Sequence, residues 1–177
     1  MPEPSLLIRP CAGGDLPAVT AIYAHSVRHG TGSFELEPPD LSEMQRRFAE
    51  QQAKGLPWLV AESAATLLGY AYAAPFRPRP AYRFTVENSV YVAAAGRRRG
   101  VGRWLLAELL ARCEAAGARQ MVAVIGDSAN AASIALHAGA GFEPCGRLAN
   151  VGWKFDRWLD VVMMQRALGP GHREGAP

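Results

Sequence analysis

Apolar residues along the chain switch between two periods, and the switches divide it into elements. Residues 6–10 read as a short first strand. Leu16, Val19, Ile22, Tyr23 and Val27 then recur at helical spacing, behind Asp15 as a cap and Pro17 in a first turn. Residues 28–39, with Gly30, Gly32, Pro38 and Pro39, form a loop. Asp40 and Glu43 have capping-box spacing and open a second helix from Leu41 to Lys54, with Leu41, Met44 and Phe48 as its apolar stripe and Gly55 as its stop. Trp58–Glu62 and Leu67–Ala73 read as a hairpin. PFRPRPA at 75–81 is excluded from a central strand by its prolines. The pattern predicts a long strand over Tyr82–Val92, with Phe84, Val86, Val90 and Val92 on one face. It predicts a helix over Arg103–Ala116, ended by Gly117, whose Leu105, Leu106, Leu109, Leu110 and Cys113 make a wide buried stripe. Gln120–Ile125 reads as a buried strand, Asn130–Ala138 as a short helix, and 145–154 and 158–166 as two last strands. No repeat or linker splits this order. The expectation is one mixed α/β domain over residues 1–168, followed by a flexible tail at 169–177.

Composition narrows the class. At 177 residues, 49% hydrophobic and 20% charged, the chain is long enough to bury a core without disulfides or a metal. No apolar run approaches the roughly 20 residues of a membrane span. The start, MPEPSLLIRP, lacks the basic end and apolar stretch of a signal peptide. Cys11, Cys113 and Cys145 lie far apart without metal-ligand spacing, so reduced thiols, no metal and a cytoplasmic location are expected. Of the 19 basic residues only Lys54 and Lys154 are lysine. Arginine suits bidentate recognition of carboxylates and phosphates, although genomic base composition also explains such a bias. A net charge of +3, with aromatics not interleaved among the basic residues, speaks against nucleic acid.

The chemistry concentrates where a strand, a glycine-rich turn and a helix meet, in SVYVAAAGRRRGVGRWLLAELL. Gly100 and Gly102 let backbone approach a ligand closely. The amides that open the following helix carry partial positive charge, and Arg97, Arg98, Arg99 and Arg103 add an attractive field for phosphates. The spacing is neither that of a Walker loop nor that of a dinucleotide fingerprint. The alternative is a basic turn that only caps the helix.

Arg97-Arg98-Arg99-Gly100-Val101-Gly102 resembles the Q/R-x-x-G-x-G/A acetyl-CoA-binding signature of the GNAT superfamily of N-acetyltransferases. Asn130-Ala131-Ala132-Ser133 followed by Gly141-Phe142 resembles that superfamily's later N-x-x-S and G-F segment. Within it, PFRPRPAYRFTVENSVYV and MVAVIG resemble the phosphinothricin and methionine sulfoximine acetyltransferases, and the likeness runs over about residues 6–168. It implies the GNAT fold, a mostly antiparallel twisted sheet flanked by helices. It also implies acetyl-CoA as co-substrate, a small amino acid analogue as acceptor, and a homodimer.

Glu87 shares a face with Thr85, Ser89 and Tyr91. Half-burial of its carboxylate raises the pKa toward that of a useful base, unless Glu87 pairs with Arg83. The resemblance assigns Glu87 as general base through water. It also implies a bulge that frees amides near Val90, Tyr91 and Val92 for the thioester carbonyl. His137 stands where many members carry an acidic tyrosine, and either donates a proton or only packs. Val101, Asn130 and Ser133 complete the expected cofactor contacts. Arg77, Arg79 and Tyr82, on a proline-stiffened loop, are expected to hold the acceptor's anionic groups, and Glu87, Asn88 and Ser89 to complete the substrate site. The resemblance makes Phe34 an aromatic near the substrate, and the residues alone allow it to be ordinary core. The chain departs from herbicide-inactivating relatives at Phe76-Arg77, Glu35 and Phe84. Glu35 repels a phosphinate, and Arg77-Pro78 looks more like the methionine sulfoximine enzymes. Other readings are a protein or other amino acid acceptor and a non-catalytic acyl-CoA sensor.

Overall fold

Strands that are apolar on both faces need cover on both sides, and this chain supplies it. The computed structural model describes residues 6–175; the readings of the first five positions and of the last two of the tail lie outside the described residues. The elements are β1 (Leu7–Pro10), α1 (Leu16–His29), α2 (Leu41–Ala53), β2 (Trp58–Ser63), β3 (Thr66–Pro75), β4 (Thr85–Val92), α3 (Val101–Ala115), β5 (Gln120–Gly126), α4 (Ala131–Gly139), β6 (Glu143–Lys154) and β7 (Arg157–Ala167). The strands form one mixed seven-stranded sheet in the order β1-β2-β3-β4-β5-β7-β6. Every neighbouring pair is antiparallel except β4 and β5, which are joined through α3.

Period-two alternation sends side chains to two cores. Trp58, Val60 and Tyr70 pack beneath α1 and α2 with Leu16, Val19, Tyr23, Met44 and Phe48. Leu59, Ala61, Ala71 and Val86 pack on the other face against the α3 stripe, Leu105, Leu106, Leu109, Leu110 and Cys113. Tyr91 belongs to the first core while Val90 and Val92 belong to the second. That is the parity expected for β4, with Glu87 on the α1 and α2 face and Asn88 on the α3 and α4 face.

Several boundaries differ from the pattern, and β3 runs on to Pro75, opposite Val86, one residue into the segment that its prolines were expected to keep out of a central strand. Asp15 sits before α1 but does not cap it. Its carboxylate accepts two bonds from Arg9, at 2.7 and 2.8 Å, and one from the Ala12 amide. β4 begins at Thr85 rather than Tyr82, because Pro80–Tyr82 close a 3-10 turn first. α3 begins at Val101 rather than Arg103, so Gly102 lies inside its first turn. The α2 cap is as expected: the Asp40 carboxylate accepts from the Glu43 amide at 2.8 Å.

The β2–β3 turn places Ala64 and Ala65 at φ 48 and 60, a left-handed pair that alanine adopts at a cost of about 1–2 kcal/mol per residue. Replacing the pair by Asn-Gly (Ala64→Asn with Ala65→Gly) is expected to raise stability by about 1 kcal/mol, read as a higher urea midpoint at unchanged slope.

Candidate active site

Two neighbouring parallel strands separate in the middle of the sheet. β4 pairs with β5 only from Thr85 and Gln120 to Asn88 and Ala123. Beyond that point β4 stays with β3 as far as Val92, and β5 stays with β7 as far as Gly126. The opening is a cleft of ≈ 460 Å³, walled by Asn88–Val92 on one side and Ala123–Gly126 on the other, with α1 and α4 residues closing it. Alternate amides of 89–92 therefore face a gap instead of a strand. The resemblance implied a bulge as the source of such free amides. The β3–β4 register instead runs unbroken from Pro75 and Val86 to Gly69 and Val92, and divergence from β5 is what frees them.

At the wide end stands the glycine-rich turn. Arg98 and Gly100 have φ 58 and 76, which bend the chain sharply into α3, and the amides of the first helical turn lack intrahelical partners. A Cβ on Gly102 would meet Leu136 at 3.4 Å and Val92 at 3.5 Å. Both are ordinary contacts, and both neighbours line the cleft, so that Cβ would take up cleft space without disturbing the core. Arg97 lines the cleft with Val90, Tyr91, Val92, Asn130 and Ser133. Val101 is buried in the core under the turn. Arg98, Arg99 and Arg103 are exposed and do not line it, and Arg103 stacks on Trp104. Asn130 caps α4 by accepting from the Ser133 amide at 3.3 Å. Among the described residues, no group of three or more His, Cys, Asp or Glu could hold a metal.

Glu87 lies one position before the end of the β4–β5 pairing, opposite Val122. Burial raises its pKa above the usual carboxylate range, and the charge of Arg77 pulls it part of the way back. No hydrogen bond or ion pair reaches its carboxylate among the described residues. The alternative pairing with Arg83 is not formed, since that guanidinium stacks 4.4 Å over Phe84. Ser89 follows on the same face, beside Tyr72.

His137 is buried, and burial lowers its pKa. Its Nδ1 is 2.8 Å from the Ser133 carbonyl oxygen and its Nε2 is 2.8 Å from Asn88 Nδ2. A carbonyl only accepts, so Nδ1 carries the hydrogen and Nε2 accepts from Asn88.

Arg77 stacks 4.7 Å over Phe76, and Tyr82 meets the same ring edge-on at 5.8 Å. Arg77, Arg79 and Tyr82 are all exposed. Phe34 is clasped between two glycines, where a Cβ on Gly126 or Gly152 would stand 2.8 or 2.2 Å from its ring. The buried Lys154 donates to the Ser33 carbonyl at 2.7 Å and anchors the same loop. Glu35 does not present a free charge: Arg47 pairs with it at 2.6 Å and the Tyr23 hydroxyl donates to it at 3.0 Å. Pattern reading missed Gly126, Gly152, Lys154 and the Arg47 pair. A glycine inside a strand is the one local signal that could have flagged the clasp.

Residues 20–142 match the Acetyltransferase (GNAT) family. The chain belongs to the GNAT acetyltransferases. It is 56% identical to phosphinothricin N-acetyltransferase of Alcaligenes faecalis, over 93% of this chain and 83% of that one. It is 44% identical to the L-methionine sulfoximine/L-methionine sulfone acetyltransferase of Pseudomonas aeruginosa, over 94% and 96%. The crystal structure of a phosphinothricin acetyltransferase from Sinorhizobium meliloti, in complex with acetyl-CoA, is 43% identical and superposes with a TM-score of 0.94, covering 97% of this chain and 93% of that one. The GNAT fold expected from the sequence is the fold observed.

A half-buried carboxylate has a signature in stability. A group whose folded pKa is raised binds protons more tightly in the folded state, so its contribution is lost as pH rises through that pKa. Glu87→Gln is neutral at every pH. It is therefore expected to melt higher than wild type near pH 8, with the gap closing toward pH 4, in scanning calorimetry.

Proposed function

We propose that the chain transfers the acetyl group of acetyl-CoA to the α-amine of a small amino acid analogue of the phosphinothricin or methionine sulfoximine type. The observation that carries the reading is the unpartnered, desolvated Glu87 carboxylate at the point where β4 leaves β5, one residue from the cleft and within the field of Arg77. The names of the relatives and the acetyl-CoA complex of the similar structure support it.

In this reading the pyrophosphate of acetyl-CoA rests on the first-turn amides of α3 and on Arg97, and the thioester arm runs along the unpaired edge of β4. Free amides of 89–92 hold the thioester carbonyl and stabilise the charge that develops on its oxygen. The acceptor arrives as an ammonium. Glu87, through water, takes its proton, and the amine nitrogen attacks the carbonyl carbon. The adduct collapses with loss of the coenzyme A thiolate, and the proton remaining on nitrogen leaves toward solvent. His137 is assigned no proton donation, because its cleft-side nitrogen accepts from Asn88. Arg77, Arg79 and Tyr82 hold the acceptor's anionic groups. Since Arg47 neutralises Glu35, that carboxylate is no bar to a phosphinate.

Two further parts of the reading concern setting. Leu148, Val151, Trp153, Phe155 and Trp158 are each at least half exposed on the β6–β7 hairpin, at an open sheet edge, and we assign this face to a second copy of the chain. The three cysteines are free, and no helix among the described residues is long and apolar enough to cross a membrane, which fits a reducing cytoplasm.

The test is thiol release from acetyl-CoA by the purified chain against phosphinothricin, methionine sulfoximine, methionine sulfone, ordinary amino acids and a peptide amine. Turnover is expected with the analogues and not with the peptide; the reverse result overturns the acceptor assignment. Glu87→Gln is expected to lower kcat about 100-fold or more while leaving acetyl-CoA affinity in place. Wild-type kcat/KM should rise with pH through a pKa above the usual carboxylate range, and the variant should lose that limb. Unchanged turnover in the variant would remove Glu87 from the mechanism.

A further inference from the structure

Asn88 carries a contradiction that the protein alone does not resolve. The residue is 6% exposed, and it lines the cleft where β4 parts from β5. The Ser133 carbonyl holds the hydrogen of His137 on Nδ1, which leaves Nε2 as an acceptor. Asn88 must therefore turn its NH2 to the imidazole, at 2.8 Å, and cannot flip. Its Oδ1 is left buried with no hydrogen-bond partner. Buried carbonyls without a donor are rare and costly, and those at a binding cleft are explained most directly by a donor that arrives with the ligand.

Resting on the acetyl-transfer reading above, we propose that Asn88 Oδ1 accepts a hydrogen bond from the amide N–H nearest the thioester of bound acetyl-CoA, with His137 as the positioning residue that fixes the asparagine. The side of the sheet decides between the available donors. Glu87 projects to the α1 and α2 face and Asn88 to the α3 and α4 face, so an amine held at Glu87 is kept apart from Asn88. The position along β4 decides between the amides of the arm. Asn88 stands at the closed end of the cleft, four residues along the strand from Val92 and about 13 Å at strand rise, where the thioester end of the arm belongs.

The test is a double cycle read by calorimetry in the absence of acceptor. Wild type is expected to bind acetyl-CoA about tenfold more tightly than an analogue whose amide nearest the thioester is an ester. Asn88→Ala is expected to lose about tenfold toward acetyl-CoA and to bind the two ligands equally. His137→Leu should behave like Asn88→Ala. His137→Gln should restore the preference, because its carbonyl accepts from Asn88 and its NH2 donates to the Ser133 carbonyl. The His137 pair carries the test if Asn88→Ala does not fold. A histidine that only donated a proton during turnover would leave acetyl-CoA binding and the preference unchanged in both of its variants, which overturns the proposal. Additive losses in the cycle overturn the proposal, as does unchanged acetyl-CoA affinity with a raised KM for the amine, which would place the donor on the acceptor. A wild type that turns over but shows no preference between the ligands refutes this inference alone, whereas one that binds neither ligand refutes the acetyl-transfer reading with it.

Discussion

The separation of two parallel strands at the centre of the sheet is the constraint on which the rest depends. Each of these strands keeps its other partner to its end, β4 with β3 and β5 with β7, so neither can bend back to close the gap. The gap leaves backbone donors that only a ligand or water can satisfy, and each such group costs about 1–3 kcal/mol when buried unpaired. The same connection that makes the pair parallel also places the start of α3 near its open end. A parallel pair needs a crossover, and this crossover returns through a helix whose first-turn amides lie on the side where β4 finishes. One topological choice thus opens the cleft and sets the first-turn amides of α3 at its mouth, the two features that the proposed acetyl-CoA site uses.

Parity along β4 then distributes the chemistry. Successive residues point to opposite faces, so Glu87 and Asn88 are neighbours in sequence and strangers in environment. Glu87 meets a face that holds Tyr72 and feels Arg77, and its carboxyl is pushed toward neutrality by burial. Asn88 meets α4, where a histidine with its hydrogen fixed by a helix carbonyl dictates which way the amide faces. A one-residue slip in the β3–β4 register would exchange the two roles, and the unbroken pairing of seven residues on each strand, Gly69–Pro75 with Val86–Val92, holds it.

Much of this was legible in the chain itself, and the limits have physical causes. The α3 stripe and the buried strands stood out because periodicity is local. So did the glycine-rich turn, where Gly100 has the positive φ that its residue type permits. Two boundaries failed where a local signal had a competitor. The apolar alternation through Tyr82 and Phe84 continues across a 3-10 turn that Pro80 begins, and Asp15 is drawn from its cap by Arg9, a partner six residues back. The cleft was not legible, because it depends on where two strands stop pairing rather than on what either contains. The clasp of Phe34 by Gly126 and Gly152 joins three distant segments, and only the space that a Cβ would occupy reveals it.

Glu35 shows how far such distant pairing changes a functional reading. As a residue in a loop near a substrate aromatic, it counts as one negative charge and argues against an anionic acceptor. In the fold, Arg47 of α2 reaches it at 2.6 Å while also holding Glu43 at 2.8 Å, and Tyr23 of α1 donates to the same carboxylate oxygen. The carboxylate is spent on tying the loop to both helices. In the proposed function the charges that meet the acceptor are the exposed Arg77 and Arg79, and both attract anions. Under the acceptor assignment proposed above, selection among small anionic amino acids rests on these two cations, with Arg77 braced on the Phe76 ring that Tyr82 meets edge-on. Repulsion from Glu35 plays no part in that assignment, because the Arg47 guanidinium at 2.6 Å offsets the charge that the residue type alone would present.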